Sequence, residues 1–571
     1  TLLPSDASQI PRAVVSAPNY GTAFKAQGNP GTPGNNFQGA VATCTSGVSP
    51  FSTADWSNDC KDAVRTNPQN ENRIKQVMWE GNLQGGLMDL PYGQLRFALG
   101  ADYRKNTISF KADSSATQGS SFLEGVNGIF PQGNTRGSTE VTEVYGELLV
   151  PLLAELPFAK ALTLELGYRY SHYDSVGSIG TYKINGEYAP VEWLRFRGGY
   201  QKASRAPNIG ELFTAATSTL DVGFDGDPCS RANPAVPLGI GNYSANPTLN
   251  PNNAAKVEAL CRQLMGTTGA NQFYTSAQST GTFAFTFPSL VGNTALKQED
   301  AYSYTIGGVL QSPVQSPWLN RMRLTVDYYN VILSNGISQQ GADSIQRRCF
   351  SALYNPALSL NEFCAFILRD QGNGSPSTIS VTYSNGGRVE TSGIDTQIDW
   401  GFAFKDVGVG LPGSFSVNFL LNYLLHFKTT TDSGILPLLD YAGTLGGGQV
   451  GTTPGAYRWK AFTTFNYMTE VGSLSLQWRH LPSARATTTV SNPTDTTIGA
   501  PAYDIFNLSG TVFVTRNATI RFGIDNLFDK QPPLTSYNPG AVLPTLAGGS
   551  YDAGNYDLLG RRFYIGANFK L

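Results

Sequence analysis

Three histidines, a basic stretch, six cysteines and two short motifs are the residues of this 571-residue chain whose types could do chemistry. His426 has no acidic or sulfur residue nearby in sequence, and no His-dependent triad or zinc site takes shape around His172 or His480. GVGLPG (408–413) is formally G-x-G-x-x-G, yet a dinucleotide fingerprint needs a strand before it and a helix after it. Here SFSVNFLLNY follows, which reads as a strand, and Pro412 interrupts the motif. A short turn is expected there. Asp525, Asn526 and Asp529 in DNLFD lack the spaced oxygen ligands of a twelve-residue calcium loop. Arg195, Arg197, Lys202 and Arg205 have two readings. They attract an anionic substrate through focused field lines, or they pair with carboxylates of neighbouring elements. No cofactor is implied, and no acid pair or nucleophile constellation that would mark an enzyme converges.

The cysteines fall into neighbouring pairs, Cys44 with Cys60, Cys229 with Cys261, and Cys349 with Cys364. None has C-x-x-C spacing, and each pair lies in a Gly/Asn/Pro-rich region where a closed loop would hold its shape. Local disulfides in an oxidising compartment are expected.

The elements that must carry these residues are read from composition and period. Formal net charge is −2 and 14% of residues are charged, against about 25% in ordinary soluble domains, so no basic surplus points to nucleic acid. No apolar run approaches the roughly 18 residues of a membrane helix, and TLLPSDASQIPR lacks the pattern of a signal peptide. In LTLELGYRYSH (162–172), Leu162, Leu164, Leu166, Tyr168 and Tyr170 face one way and Thr163, Glu165, Gly167, Arg169 and Ser171 the other. GRRFYIGANFKL (560–571) repeats that period of two, as do QLRFALGADY (94–103) and TIRFGIDNLF (519–528). The pattern predicts fifteen strands: 73–87, 94–110, 138–150, 161–174, 180–189, 193–204, 297–311, 321–335, 388–403, 414–428, 456–468, 473–482, 502–515, 518–528 and 560–571. Parity places His172 and His480 with the apolar residues near strand ends and His426 on the polar side.

Short connections alternate with long ones, which include 205–296, 336–387, 429–455 and 529–559. One end of the sheet is therefore trim, and the other carries large excursions and all six cysteines. Long strands, unequal ends and charges on the non-apolar face fit an antiparallel transmembrane β-barrel better than a sandwich. The apolar row then meets lipid, and Arg195 and Arg197 point to the lumen. The loop 205–296 holds Phe213, Phe224, Tyr243, Phe273, Tyr274, Phe283, Phe285 and Phe287 with few charges. That composition suits contact with a flat or apolar ligand and equally suits packing of loop on loop.

YRYSHYD (168–174) followed by LRFRGGYQKASRAPNIGELF (194–213), LKQEDAYSYTIG (296–307), NGGRVETSGIDTQIDW (385–400) and IDNLFDKQ (524–531) resemble, in order and spacing, the TonB-dependent outer-membrane receptors. Gln298 stands where the family pattern has Pro, and the closing signal ends in Leu571 rather than Phe, leaving Phe569 as its nearest aromatic. The resemblance implies a 22-strand barrel around an N-terminal plug preceded by a TonB-contacting box. The fifteen strands correspond to the last fifteen of that barrel. Residues 1–72 read mainly as an extracellular loop with Cys44 and Cys60, and 73–571 as the C-terminal part of the barrel. Plug, TonB box, signal peptide and about seven strands are expected outside this chain, by truncation or on another polypeptide. The carboxylate partners of the basic stretch are expected to be missing with them.

Implied with the family are residence in a bacterial outer membrane and TonB-driven uptake of a scarce nutrient, ferric siderophore by default. Oligosaccharide or cobalamin uptake and a passive porin are the alternatives. The implied partners are outer-membrane lipid, the TonB complex through the plug, the barrel-assembly machinery through the last strand, and a small-molecule ligand. Ligand contacts are expected from Arg195, Arg197, Lys202, Arg205, Phe224, Tyr243 and Tyr274.

Overall fold

Alternation of apolar and polar side chains at a period of two can be satisfied by a sheet whose faces meet different media, and fifteen long strands build such a sheet. The computed structural model describes residues 58, 69–113, 132–218, 227–231, 243–276, 287–445, 455–535, 550–552 and 554–569. The strands are β1 (Glu71–Leu90), β2 (Gly93–Lys111), β3 (Thr135–Leu156), β4 (Ala159–Tyr173), β5 (Gly177–Val191), β6 (Leu194–Arg205), β7 (Glu299–Gln311) and β8 (Arg323–Gln339). They continue as β9 (Pro376–Ala403), β10 (Ser414–Thr430), β11 (Trp459–Thr469), β12 (Gly472–Leu481), β13 (Tyr503–Thr515), β14 (Ala518–Asp525) and β15 (Arg562–Phe569). Each pairs antiparallel with the next along the chain. All fifteen predicted strands are present. Leu571 and Lys570, at the very end of the predicted last strand, lie outside the described residues.

Directly opposed residues share a face, so register tests the two-sided pattern. Phe97 opposes Leu148, Leu148 opposes Leu166, Leu166 opposes Ile184, Ile184 opposes Tyr200, and Tyr200 opposes Tyr304. This apolar row crosses six strands without a polar residue, and Leu99 (51%), Ile306 (65%) and Ile565 (80%) on the same face stand exposed. The opposite face carries Asp102, Glu143, Glu165, Arg169, Lys183, Arg197, Asp327 and Asp399, knitted by ion pairs. Apolar side chains outward and charges inward invert the arrangement of a water-soluble domain.

Aromatic rings border the apolar face at both ends. Tyr170, Tyr200, Tyr304, Tyr423, Trp459 and Trp478 lie towards the loop-bearing end. Trp193, Trp318, Trp400, Phe402, Phe415 and Tyr467 lie at the trim end, where the rings of Trp318 and Phe402 are 4.7 Å apart. Amphipathic rings favour such positions because one part can stay apolar while the other reaches water.

Among the described residues, β1 pairs only with β2 and β15 only with β14. Both edge strands run from the loop-bearing end to the trim end, so antiparallel closure between them takes an odd number of further strands.

The GVGLPG segment is a turn. A short 3₁₀ turn, Phe404–Val407, leads into Gly408 (φ 77°) and Gly413 (φ 90°), and β10 starts at Ser414. Only glycine takes such angles without strain. DNLFD is a strand end. Asn526 (φ 51°) accepts from the Lys530 N–H at 2.7 Å and donates to the Lys530 carbonyl at 3.0 Å, while Asp529 accepts from the Arg561 N–H at 3.0 Å.

β9 starts at Pro376 rather than near 388. Its first residues belong to a different partnership: Ile379 opposes Ile367 of the short strand Ile367–Arg369, and Thr378–Thr382 run parallel to Phe287–Val291. These pairings weld two long loops into a folded cap. It holds the helices α1 (Ile209–Phe213), α2 (Ala254–Thr275) and α3 (Ala342–Phe350).

Candidate functional site

The cap is where the sheet's long loops gather, so its construction decides what can meet a ligand. In α2, Val257, Leu260, Cys261 and Met265 recur at helical spacing and are fully buried against Ile345, Phe350, Ile379 and Val381. Gly266, at φ 67°, breaks the helix into two segments and turns Phe273 and Tyr274 into the same core. Disulfides join Cys229 to Cys261 and Cys349 to Cys364. Cys44 and Cys60 lie outside the described residues. Behind Phe273, Arg369 donates two bonds to Asp227, at 2.8 and 2.7 Å, with side-chain exposures of only 1% and 4%. Its Nε donates to the Gly374 carbonyl at 2.9 Å, so each nitrogen of the buried guanidinium has a partner. Arg348 ties the cap to the next long loop through Asp432 at 2.6 Å.

The predicted basic stretch does not converge on one site. Arg195 pairs with Glu187 at 3.2 Å, and Arg197 holds Asp327 through two bonds of 2.7 and 2.6 Å, both on the polar face. Lys202 lies on the opposite, apolar-face side, across from Tyr302, and pairs with Asp300 at 3.2 Å. Arg205 is held between Glu299, at 2.5 Å, and Glu211, at 2.9 Å. The expectation that the partners of these residues lie outside the chain is corrected: all four find carboxylates on this chain. Asp327 is 130 residues from Arg197, so sequence proximity could not reveal it.

Phe224 lies outside the described residues. Tyr243 is buried and donates to Asp343 at 3.1 Å. Tyr274 is buried and donates to the Cys229 carbonyl at 3.2 Å; burial pushes its hydroxyl well above the usual tyrosine range. Both rings are therefore engaged in loop-on-loop packing. Arg231 and Arg262 stack on Tyr274, with guanidinium carbons 4.6 and 4.4 Å from its ring centre. Both arginines donate to Glu258, and their bonds to it hold its carboxyl below the usual glutamate range. Sequence reading passed over this group, although Glu258 and Arg262 stand four apart in a run of good helix formers.

The histidines sit singly. His172 shares a hydrogen bond of 3.1 Å with Ser178. His480 bonds Asp504 at 2.8 Å and stacks on Trp459 with ring centres 4.7 Å apart. His426 was expected on the polar side with no acidic partner. A bulge shifts the register so that Leu424 opposes Gly393 and His426 opposes Ser392, which moves the ring to the other face and within 3.0 Å of Asp440. Among the described residues no three His, Cys, Asp or Glu side chains gather in a metal-binding arrangement.

A family model described as TonB dependent receptor-like, beta-barrel, matches residues 12–527. The chain belongs to the TonB-dependent receptor family. Among solved structures it is similar to the ferric enterobactin receptor of Pseudomonas aeruginosa, solved as a mutant with enterobactin. That match has 14% identity, a TM-score of 0.53, and covers 87% of this chain and 54% of the other. A siderophore receptor of Acinetobacter baumannii matches at 13% identity and TM-score 0.50, over 87% of this chain and 55% of that one. At such identities the likeness is one of fold. The chain spans about half the length of these structures, and no curated protein matches it in sequence.

Proposed function

We propose that the chain is the C-terminal part of an outer-membrane barrel that takes up a scarce nutrient through TonB, a ferric siderophore being the default ligand. On this reading residues 1–72 form mainly an extracellular loop, 73–571 form the barrel wall, and the trim end faces the periplasm. The observation that carries it is the inverted wall, apolar and ring-bordered outside and charge-lined inside, crowned at one end by a disulfide-stapled cap. A passive porin would gain nothing from so large a folded cap over its mouth. The plug that would couple ligand to TonB, and the lipid and assembly partners, belong to this reading too. Among the predicted ligand contacts that lie in the described residues, Arg205 stands at the mouth with its side chain partly open. Tyr243 and Tyr274 serve it indirectly, by fixing the cap.

Binding of a panel of ferric chelates and oligosaccharides to the full-length receptor in detergent tests this. Saturable binding of a ferric chelate, with no standing conductance of the receptor in a planar bilayer, is expected. An open channel that binds none of them would overturn it in favour of a porin.

A further inference from the structure

The cap presents one group of charges whose hydrogen-bond donors are not all used by the described residues. Arg231 and Arg262 reach Glu258 from two chain segments, and a terminal nitrogen of each lies 2.7 Å from the same oxygen, Oε1. Both use Nε and Nη2 for that carboxylate. Among the described residues nothing takes up the Nη1 group of either arginine. Two guanidiniums against one carboxylate leave a surplus positive charge, and the side chains are 41% and 40% exposed. The positive charge behind them is already neutralised, because Arg369 is matched by Asp227.

The group is fixed in place. Cys229 and Cys261 are bonded, each close in sequence to one of the arginines, so the disulfide holds the two segments together. Tyr274 supplies a ring face for both guanidiniums and is itself anchored through its hydroxyl to the Cys229 carbonyl. A guanidinium stacked on a ring and clamped by a carboxylate loses little further freedom when its remaining N–H groups meet an anion.

We propose that Arg231 and Arg262, stacked on Tyr274, form a receiving site on the cap for an oxyanion of the phosphate or catecholate type. Glu258 orients the pair and leaves their outer donors free. The anion is either part of a soluble ligand or the phosphate of a neighbouring glycolipid; only the first source rests on the uptake reading.

The test uses the full chain in dodecyl maltoside at low ionic strength, with inorganic pyrophosphate as the site probe in calorimetry. Wild type is compared with the double variant Arg231→Gln/Arg262→Gln, with thiol titration to show that Cys229–Cys261 is intact. Binding about tenfold weaker in the variant is expected. Equal binding, or none by wild type, overturns the site. Should the double variant lose the disulfide or become sensitive to trypsin, Arg231→Lys/Arg262→Lys keeps the charge and removes the fork; about threefold loss supports the site and no loss overturns it. Two further arms locate the source. Arginine-dependent preference for the tri-anionic ferric tris(catecholate) over the neutral ferric tris(acetohydroxamate) assigns a soluble ligand. Arginine-dependent retention on phosphatidylcholine vesicles only when they carry a phosphorylated glycolipid assigns the membrane. Arginine-dependent pyrophosphate binding without binding of either ferric complex leaves the site standing and counts against ferric-chelate uptake.

Discussion

The cap and the wall are made from one chain and obey opposite rules. In the cap, Val257, Leu260, Met265, Phe273 and Ile345 are buried, two disulfides brace the loops and Arg369 and Asp227, the most deeply buried ion pair among the described residues, hold each other through two hydrogen bonds. In the wall, Leu99, Ile306 and Ile565 stand exposed while charges pair across the other face. The cap is what water selects, with the hydrophobic effect gathering apolar surface inward. The wall places its apolar surface where only a solvent that tolerates it can stand. On the proposed reading the contrast reflects two solvents, and the aromatic borders mark where one gives way to the other.

The contrast is broken hardest at Arg369. Arg369→Ala leaves Asp227 charged and dry, at about 3–5 kcal/mol to the cap. Rapid trypsin cleavage within the cap, with the sheet's infrared signature unchanged, is the expected result. If the wall melts together with the cap, the two are one cooperative unit. Removing the Cys229–Cys261 bond with a double serine substitution comes next. It frees a loop spanning 32 positions and should lower cap stability by about 2–4 kcal/mol in urea titration, without changing the wall.

Leu166→Arg tests the wall in the opposite sense. A cation near the middle of the apolar face should cost about 2–4 kcal/mol in lipid. Arg197→Ala on the other face should cost no more than about 1 kcal/mol, because its partner Asp327 is left beside water rather than hydrocarbon. Folding equilibria of both variants in phospholipid vesicles compare them directly; equal costs would mean that the faces do not differ in solvent.

The smallest effect is one of pH. Glu258 has a carboxyl depressed by its bonds to Arg231, so its contribution to the cap is complete above the usual glutamate value. It is lost as pH falls through the lower, folded-state value. Cap protection from pepsin should therefore begin to decline as pH falls into the range where ordinary glutamates protonate and level off only below the lower, folded-state value. Glu258→Gln should remove that step from the profile.

Sequence pattern exposed the wall almost entirely, since a period of two in Leu162–Tyr170 or Phe563–Phe569 needs no knowledge of partners. It also paired Cys229 with Cys261 and Cys349 with Cys364, because each pair closes a local loop. What it missed was non-local. The parity of His426 was undone by a one-residue bulge that no spacing announces. Asp327 is remote from Arg197, and Asp227 is 142 residues from Arg369. α2 was missed for another reason: its Val257, Leu260, Cys261 and Met265 do recur at helical spacing, but they lie inside a segment dominated by Gly, Asn and Thr. Tyr243 and Tyr274 have the composition of a binding loop and the placement of a core, a burial that their spacing in the sequence does not reveal.

Fluorescence or spin-label quenching from within the bilayer tests the two-solvent account most directly. With single labels at Leu164 and Phe97 on one face and at Glu165 and Ala98 on the other, lipid-borne quenchers should reach the first pair strongly, and water-borne quenchers the second. Labels at Leu164 and Phe97 shielded from both quenchers would mean that protein covers the apolar face, and the account of a lipid-facing wall would be wrong.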